Sequence, residues 1–200
     1  MTARVGRLLS KAKQRQGSFW MRRLWWGESL RASGAQPPAV RLALALDNLL
    51  RNMPVEILPD ELIVGLHPLA DPPVDAPKTV TLMPDQDPYR TPEERAALDG
   101  GVFSSANKRD HLTPNFGRLL AEGVDGVLLR IEENHDEETA PQRVERRAMA
   151  ISLRAASHFM ERYARVAENK ATKETDPVRR VELKTIASTC RRVAHKPART

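Results

Sequence analysis

Between Pro141 and about Glu168 the residues Val144, Ala148, Ile151, Ala155, Phe159, Tyr163 and Val166 recur at steps of three and four. That period lays one apolar line along a long helix, and such a line is stable only where other elements cover it. A long amphipathic helix of this kind sets the architecture, because whatever else the chain forms must pack along its length. The chain has 200 residues, 40% of them hydrophobic, enough for a sizeable core in one domain. Its longest apolar runs, such as 42–46, fall far short of the roughly 20 residues a bilayer span requires, so the sequence reads as a non-membrane protein. One cysteine, Cys190, allows no internal disulfide and no multi-cysteine metal site, which fits a reducing cytoplasm.

The other elements follow from local signals. A basic amphipathic stretch from Ala3 to about Leu30 reads as helix, with Arg4, Arg7, Lys11 and Lys13 interleaved with Val5, Leu8 and Leu9. Within it, Phe19, Trp20, Leu24, Trp25 and Trp26 form either ordinary core or a surface for a partner. Pro37-Pro38 opens a helix from about Ala39 to Arg51. Val55-Glu56-Ile57 and Leu62-Ile63-Val64 suggest one or two brief strands. A proline-rich connector covers residues 68–92, its one strand-like interlude at 79–82, and Thr91-Pro92-Glu93-Glu94 then starts a short helix. Pro114 begins helix through Leu120, Gly123 stops it, and Val124 to Glu133 resumes. Asp176-Pro177 caps a last helix whose apolar side carries Val178, Val181, Ile186, Cys190 and Val193. The fold class is therefore mainly α with a few short strands.

Most catalytic chemistries find no support. The five histidines lack metal-site spacing, and Gly123-Val124-Asp125-Gly126 lacks the third glycine and the lysine of a phosphate loop. Cys190, on the apolar side of its helix, reads as a small buried hydrophobe. The acidic run 132–138 reads as a solvated turn and His158 as a packing residue. His111 stands in a loop before a helix start, where a protonated imidazole can donate from both nitrogens to a substrate hydroxyl or carboxylate. Lysine plus arginine exceed aspartate plus glutamate by 32 to 26, a net +6 that permits a nucleic-acid or adaptor role without demanding one; aromatics at 4% are few for a stacking RNA binder.

Three stretches, in order, resemble the glycyl radical enzymes of the pyruvate formate-lyase-like superfamily. The first runs from Arg41-Leu42-Ala43-Leu44-Ala45-Leu46 through Asn52-Met53-Pro54-Val55-Glu56-Ile57 to Asp60-Glu61-Leu62-Ile63-Val64-Gly65. The second is His111-Leu112-Thr113-Pro114-Asn115-Phe116 with Leu119-Leu120-Ala121-Glu122-Gly123-Val124-Asp125-Gly126. The third comprises Arg162-Tyr163-Ala164, Asp176-Pro177-Val178-Arg179-Arg180-Val181-Glu182-Leu183, Ile186-Ala187, Cys190-Arg191-Arg192-Val193 and Pro197-Ala198. The resemblance implies that residues 1–200 are the N-terminal helical part of a pyruvate formate-lyase domain, a ten-stranded α/β barrel built from a chain several times longer.

It further implies an oxygen-sensitive cytoplasmic lyase or dehydratase, commonly homodimeric. There a backbone glycyl radical, installed by a radical S-adenosylmethionine activase, abstracts hydrogen from a cysteine, and the thiyl radical attacks a small organic substrate. Both radical residues of the family lie beyond the matched part, so a chain of this extent is expected to hold no cofactor, to be inactive alone, and to need the remainder of a split or truncated enzyme. Family dehydratases use the histidine of the second stretch to bond a substrate hydroxyl; here that residue is His111, preceded by Asp110 where the family has glycine.

Overall fold

The computed structural model describes residues 2–14, 21–65, 92, 96, 116–133 and 137–199, with no side-chain statement for 14 and 21–24. Six helices are delimited: α1 (Ala3–Gln14), α2 (Met21–Ala32), α3 (Pro38–Asn52), α4 (Phe116–Glu132), α5 (Ala140–Lys173) and α6 (Pro177–Val193). The 68–92 connector and the 79–82 interlude lie outside the described residues, except that Pro92, and after it Ala96, are helical as the Thr91-Pro92 signal implies.

Local chemistry sets the helix ends. Thr139 and Gln142 form a reciprocal capping box at the start of α5: Gln142 Oε1 accepts from the Thr139 N–H at 2.9 Å, and Thr139 Oγ1 accepts from the Gln142 N–H at 3.5 Å. Asp176 Oδ1 accepts from the Val178 N–H at 3.0 Å ahead of Pro177, as its position before a proline implies.

At 34 residues, or roughly 50 Å at 1.5 Å per residue, α5 is the axis of the molecule. Its first half packs on α3, where Val40, Ala43 and Ala148 are buried with Val144 and Ile151 beside them. Its second half packs on α6 through Tyr163, Ala164, Ala167 and Ala171 against Leu183, Ile186, Ala187 and Cys190. Alanines predominate because a methyl group lets two helix backbones come close while still excluding water. The periodic line from Val144 to Val166 is thus covered by helices of this same chain. Tyr163 meets Phe159 edge-to-face at 5.2 Å, and α2 lies along α3, tied by Asn48 Nδ2 donating to the Trp25 carbonyl at 2.7 Å. Trp25 and Trp26 are half-buried.

The expected strands do not form. Residues 53–65 are irregular, and no strand occurs among the described residues. The segment instead crosses α5 and α6 as a strap whose carbonyls bond to cationic side chains. Arg162 donates to the carbonyls of Leu50 and Met53, the latter at 2.7 Å, and Lys170 Nζ donates to that of Ile57 at 2.9 Å. Arg179 donates to those of Leu58 at 3.0 Å and Glu61 at 2.8 Å, and Arg4 Nε to that of Asp60 at 2.7 Å. With these acceptors bonded and Ile57 buried in the α5–α6 core, a ladder partner is not needed.

Helix α4 is broken at Gly123, with φ 71° and ψ 179°, so the glycine interrupts the helix as the sequence implies. That conformation is costly for any residue with a side chain. A Cβ there would also lie 2.6 Å from the backbone of Lys196 and Pro197, which press against the break. Gly123→Ala is therefore expected to destabilise the chain by at least about 1–3 kcal/mol, the usual cost of such backbone strain, read as a lower urea midpoint.

Candidate docking groove

The strap and α6 form the two walls of a groove of about 540 Å³. Leu62, Ile63 and Val64 line one side; Val181, Thr185, Ile186 and Thr189 line the other, with Cys190 beside them. Its character is apolar and unfinished: Ile63 is 91% exposed, and Val178 and Val181 remain more than 60% exposed on the same helix. The last helix's apolar side is therefore split. Ile186 and Cys190 enter the core while Val178 and Val181 face outward.

One ionic hub holds the groove in shape. Arg4 grips Glu182 with both terminal nitrogens, at 2.6 and 2.7 Å, and Arg179 adds a third bond to Glu182 Oε2 at 2.9 Å. Hydrogen bonds from Arg4 and then Arg179 hold the Glu182 carboxyl down at about 2. Arg7 meets Asp60 at 2.6 Å, a bond that draws the Asp60 carboxyl below its usual range. Glu61 is buried inside the strap, its Oε2 accepting from the Leu58 N–H at 2.8 Å. Glu61 Oε1 and Tyr163 Oη are buried without a hydrogen-bond partner among the described residues, and burial, first, pushes the Tyr163 phenol up.

The site residue expected from sequence, His111, lies outside the described residues, as do His67 and His135. Cys190 is buried and its thiol is pushed up by that burial, which makes it a packing residue and no nucleophile. His158 is half-buried on α5, its imidazole lowered first by desolvation and then by Arg51, Arg165 and Arg162. No cluster of three or more His, Cys, Asp or Glu suited to a metal occurs among the described residues, and no described helix is long and apolar enough to cross a membrane.

Within the acidic run Glu132, Glu133 and Glu137 are exposed, as a solvated turn implies. Glu138 is half-buried against Arg146, which donates to both its oxygens at 2.8 Å, and Glu132 pairs with Arg154. A larger groove of about 1110 Å³ lies between α4 and the start of α5, edged by the Arg146–Glu138 pair and by Arg130, which is held by Glu122 at 2.8 Å. Arg4 and Arg7, counted among the basic residues of the N-terminal stretch, are engaged inside the molecule by Glu182 and Asp60. The sequence carried no sign of the Arg4–Glu182–Arg179 hub, because arginine spacing along a helix does not say which distant carbonyl or carboxylate each will meet.

The profile of the "Pyruvate formate lyase-like" family matches residues 78–200. The chain belongs to that family. It is 36% identical over 90 residues to the (2S)-3-sulfopropanediol dehydratase of Klebsiella oxytoca, covering 42% of this chain and 11% of that one. It is 31% identical over 126 residues to the "Probable dehydratase YbiW" of Escherichia coli K12, covering 55% and 15% respectively. Of this chain, 98% superposes on a structure solved for 1,2-propanediol dehydration in Roseburia inulinivorans, with a TM-score of 0.76, 25% identity and 31% coverage of that chain. A glycyl radical enzyme from Archaeoglobus fulgidus gives the same coverage of this chain, a TM-score of 0.75 and 24% identity.

This pyruvate formate lyase-like chain thus spans about a third of the solved structures, and its matches span 11% and 15% of the curated relatives. It corresponds to the N-terminal helical part of the glycyl radical enzyme fold. The family profile covers the second and third of the resembling stretches. The first, which includes the strap, enters through the structural superposition.

Because Glu182 is held low, its contribution to stability is fully present above its ordinary value near 4.5 and is lost as pH falls towards about 2. Glu182→Gln is expected to flatten that part of the acid-denaturation profile. Arg179→Met, which keeps the aliphatic stem but strips two strap carbonyls of their donor, is expected to cost about 1–3 kcal/mol in urea unfolding.

Proposed function

We propose that this chain supplies the helical outer part of a cytoplasmic glycyl radical dehydratase acting on a small hydroxylated substrate, and that the groove beside Ile63 seats the rest of the enzyme. The observation that carries the reading is the 36% identity over 90 residues to a diol dehydratase, in a chain whose residues 78–200 match the family. The superposition on a structure solved for 1,2-propanediol dehydration supports the same class of chemistry.

The glycyl radical and its activase would supply the hydrogen abstraction; the family resemblance places the radical glycine and the reactive cysteine outside this stretch. Cys190 does not take that part, since its thiol is buried and pushed up. The task of these residues is mechanical. The α5 axis and the ionic hub hold the strap in one shape and present Ile63, Val181 and Thr189 as a fixed apolar seat. The proposed occupant is an extended apolar segment of the remaining polypeptide, because about two thirds of the solved relative lies outside the matched stretch and the groove walls are mostly apolar, Glu182 being the charged residue among them. A role for His111 on a substrate hydroxyl rests on the family resemblance.

The DNA after codon 200 is expected to encode a Cys-x-Glu-like loop and a C-terminal Arg-Val-x-Gly-like loop. Co-expressed with that polypeptide, the chain is expected to form a complex, and Ile63→Asp with Val181→Asp to weaken it at least about tenfold, roughly 1.4 kcal/mol, while leaving the unfolding of the lone chain unchanged. Turnover of 1,2-propanediol by the lone chain with an activase, or an intact complex with both aspartates in place, would overturn the reading.

A further inference from the structure

His195, just past the end of α6, joins three parts of the chain. Its Nδ1 lies 3.0 Å from Asp125 Oδ1 on α4, and its Nε2 lies 3.3 Å from Glu161 Oε1 on α5. Its own carbonyl accepts the Asp125 N–H at 2.9 Å, beside the break at Gly123. A neutral imidazole carries one N–H and one lone pair, so it can satisfy only one of two facing carboxylates and aims its lone pair at the other. Only the imidazolium donates to both.

We infer that His195 is a proton-dependent clasp, which fastens α4 to α5 and to the end of α6 when doubly protonated and loosens when it loses a proton. The surrounding charges leave this role to Asp125 and Glu161. On α5, Glu168 is taken by Arg191 at 2.6 Å. On α4, Glu122 is taken by Arg130. Arg192 turns its Nε to the Pro197 carbonyl at 3.0 Å, and Lys196 is exposed. Other side-chain ties between α4 and α5 lie at the far end of α4, where Arg146 donates to the Ile131 carbonyl at 3.0 Å and Arg154 meets Glu132.

The direction of the pH effect follows from the partners. The hydrogen bond that the imidazole donates to Asp125, ahead of the opposing effect of burial, raises it above its ordinary value, with Glu161 adding to that. A group raised in the folded state stabilises fully below its unfolded value near 6.5, and that contribution is lost as pH climbs through the folded value. The clasp is therefore closed in mild acid and open in mild base.

Two measurements on the full chain decide the matter. Hydrogen exchange of residues 124–131, corrected for intrinsic rates between pH 5.5 and 8.5, is expected to lose protection on the order of tenfold for each unit by which the folded pKa exceeds the unfolded one. In His195→Gln, whose side-chain amide cannot be protonated, protection in the same segment is expected to stay low and flat with pH. If that variant does not fold, a nuclear magnetic resonance titration of the wild-type His195 ring decides instead: Asp125→Asn is expected to bring its midpoint down. A wild-type midpoint at or below the ordinary histidine value, or protection of 124–131 that ignores pH, would overturn the proposal.

Discussion

The structure depends on how an irregular segment is held against two helices. Residues 53–64 pair with no strand among the described residues, and a buried carbonyl without a donor is costly. Arg162 and Lys170 from α5, with Arg179 from α6, reach out of an otherwise alanine-lined interface and bond one strap carbonyl after another. Arg162 is partly desolvated in doing so, which lowers its pKa, and it also lies over the Phe159 ring at 5.9 Å. Basic side chains here replace a missing β-ladder, and the strap's apolar residues 62–64 stay free to line a groove.

That arrangement also engages many of the basic side chains. A net +6 suggests a surface for polyanions, yet Arg4, Arg7, Arg146, Arg162, Arg179 and Arg191 are all bonded to carboxylates or carbonyls within the chain. Arginine suits this work because its planar fork serves two acceptors at once, as Arg4 does on Glu182. Apolar packing along α5 and the polar hub at the strap are complementary. The first aligns α3 and α6, and the second joins α1, the strap and α6 into one end of the molecule.

Elements with strong local signals were legible. The three-and-four spacing from Val144 to Val166 marked α5, Asp176-Pro177 marked the start of α6, and Gly123 marked the break in α4. The Thr139–Gln142 box carries a local signature as well, with Pro141 inside it. Leu62-Ile63-Val64 misled, because β-branched residues report a preference for extended backbone and say nothing of whether a partner strand is near. The outward turn of Val178 and Val181 was equally hidden, since periodicity shows which residues share a face and not how far a neighbour covers it. His195 was one histidine among five until folding brought Asp125 and Glu161, 70 and 34 positions away, to its two nitrogens.

From sequence alone came the helical class, the caps and breaks, and the kinship, because each depends on residues close together in the chain or on a string of identities that survives without coordinates. Tertiary structure alone decided that the strap would be bonded by side chains, that the Arg4–Glu182–Arg179 hub would form, and which apolar residues would be left uncovered. Those outcomes join positions more than one hundred residues apart, as Arg4 and Glu182 are. Only the packing of α5 against its neighbours sets the distances that let such pairs meet.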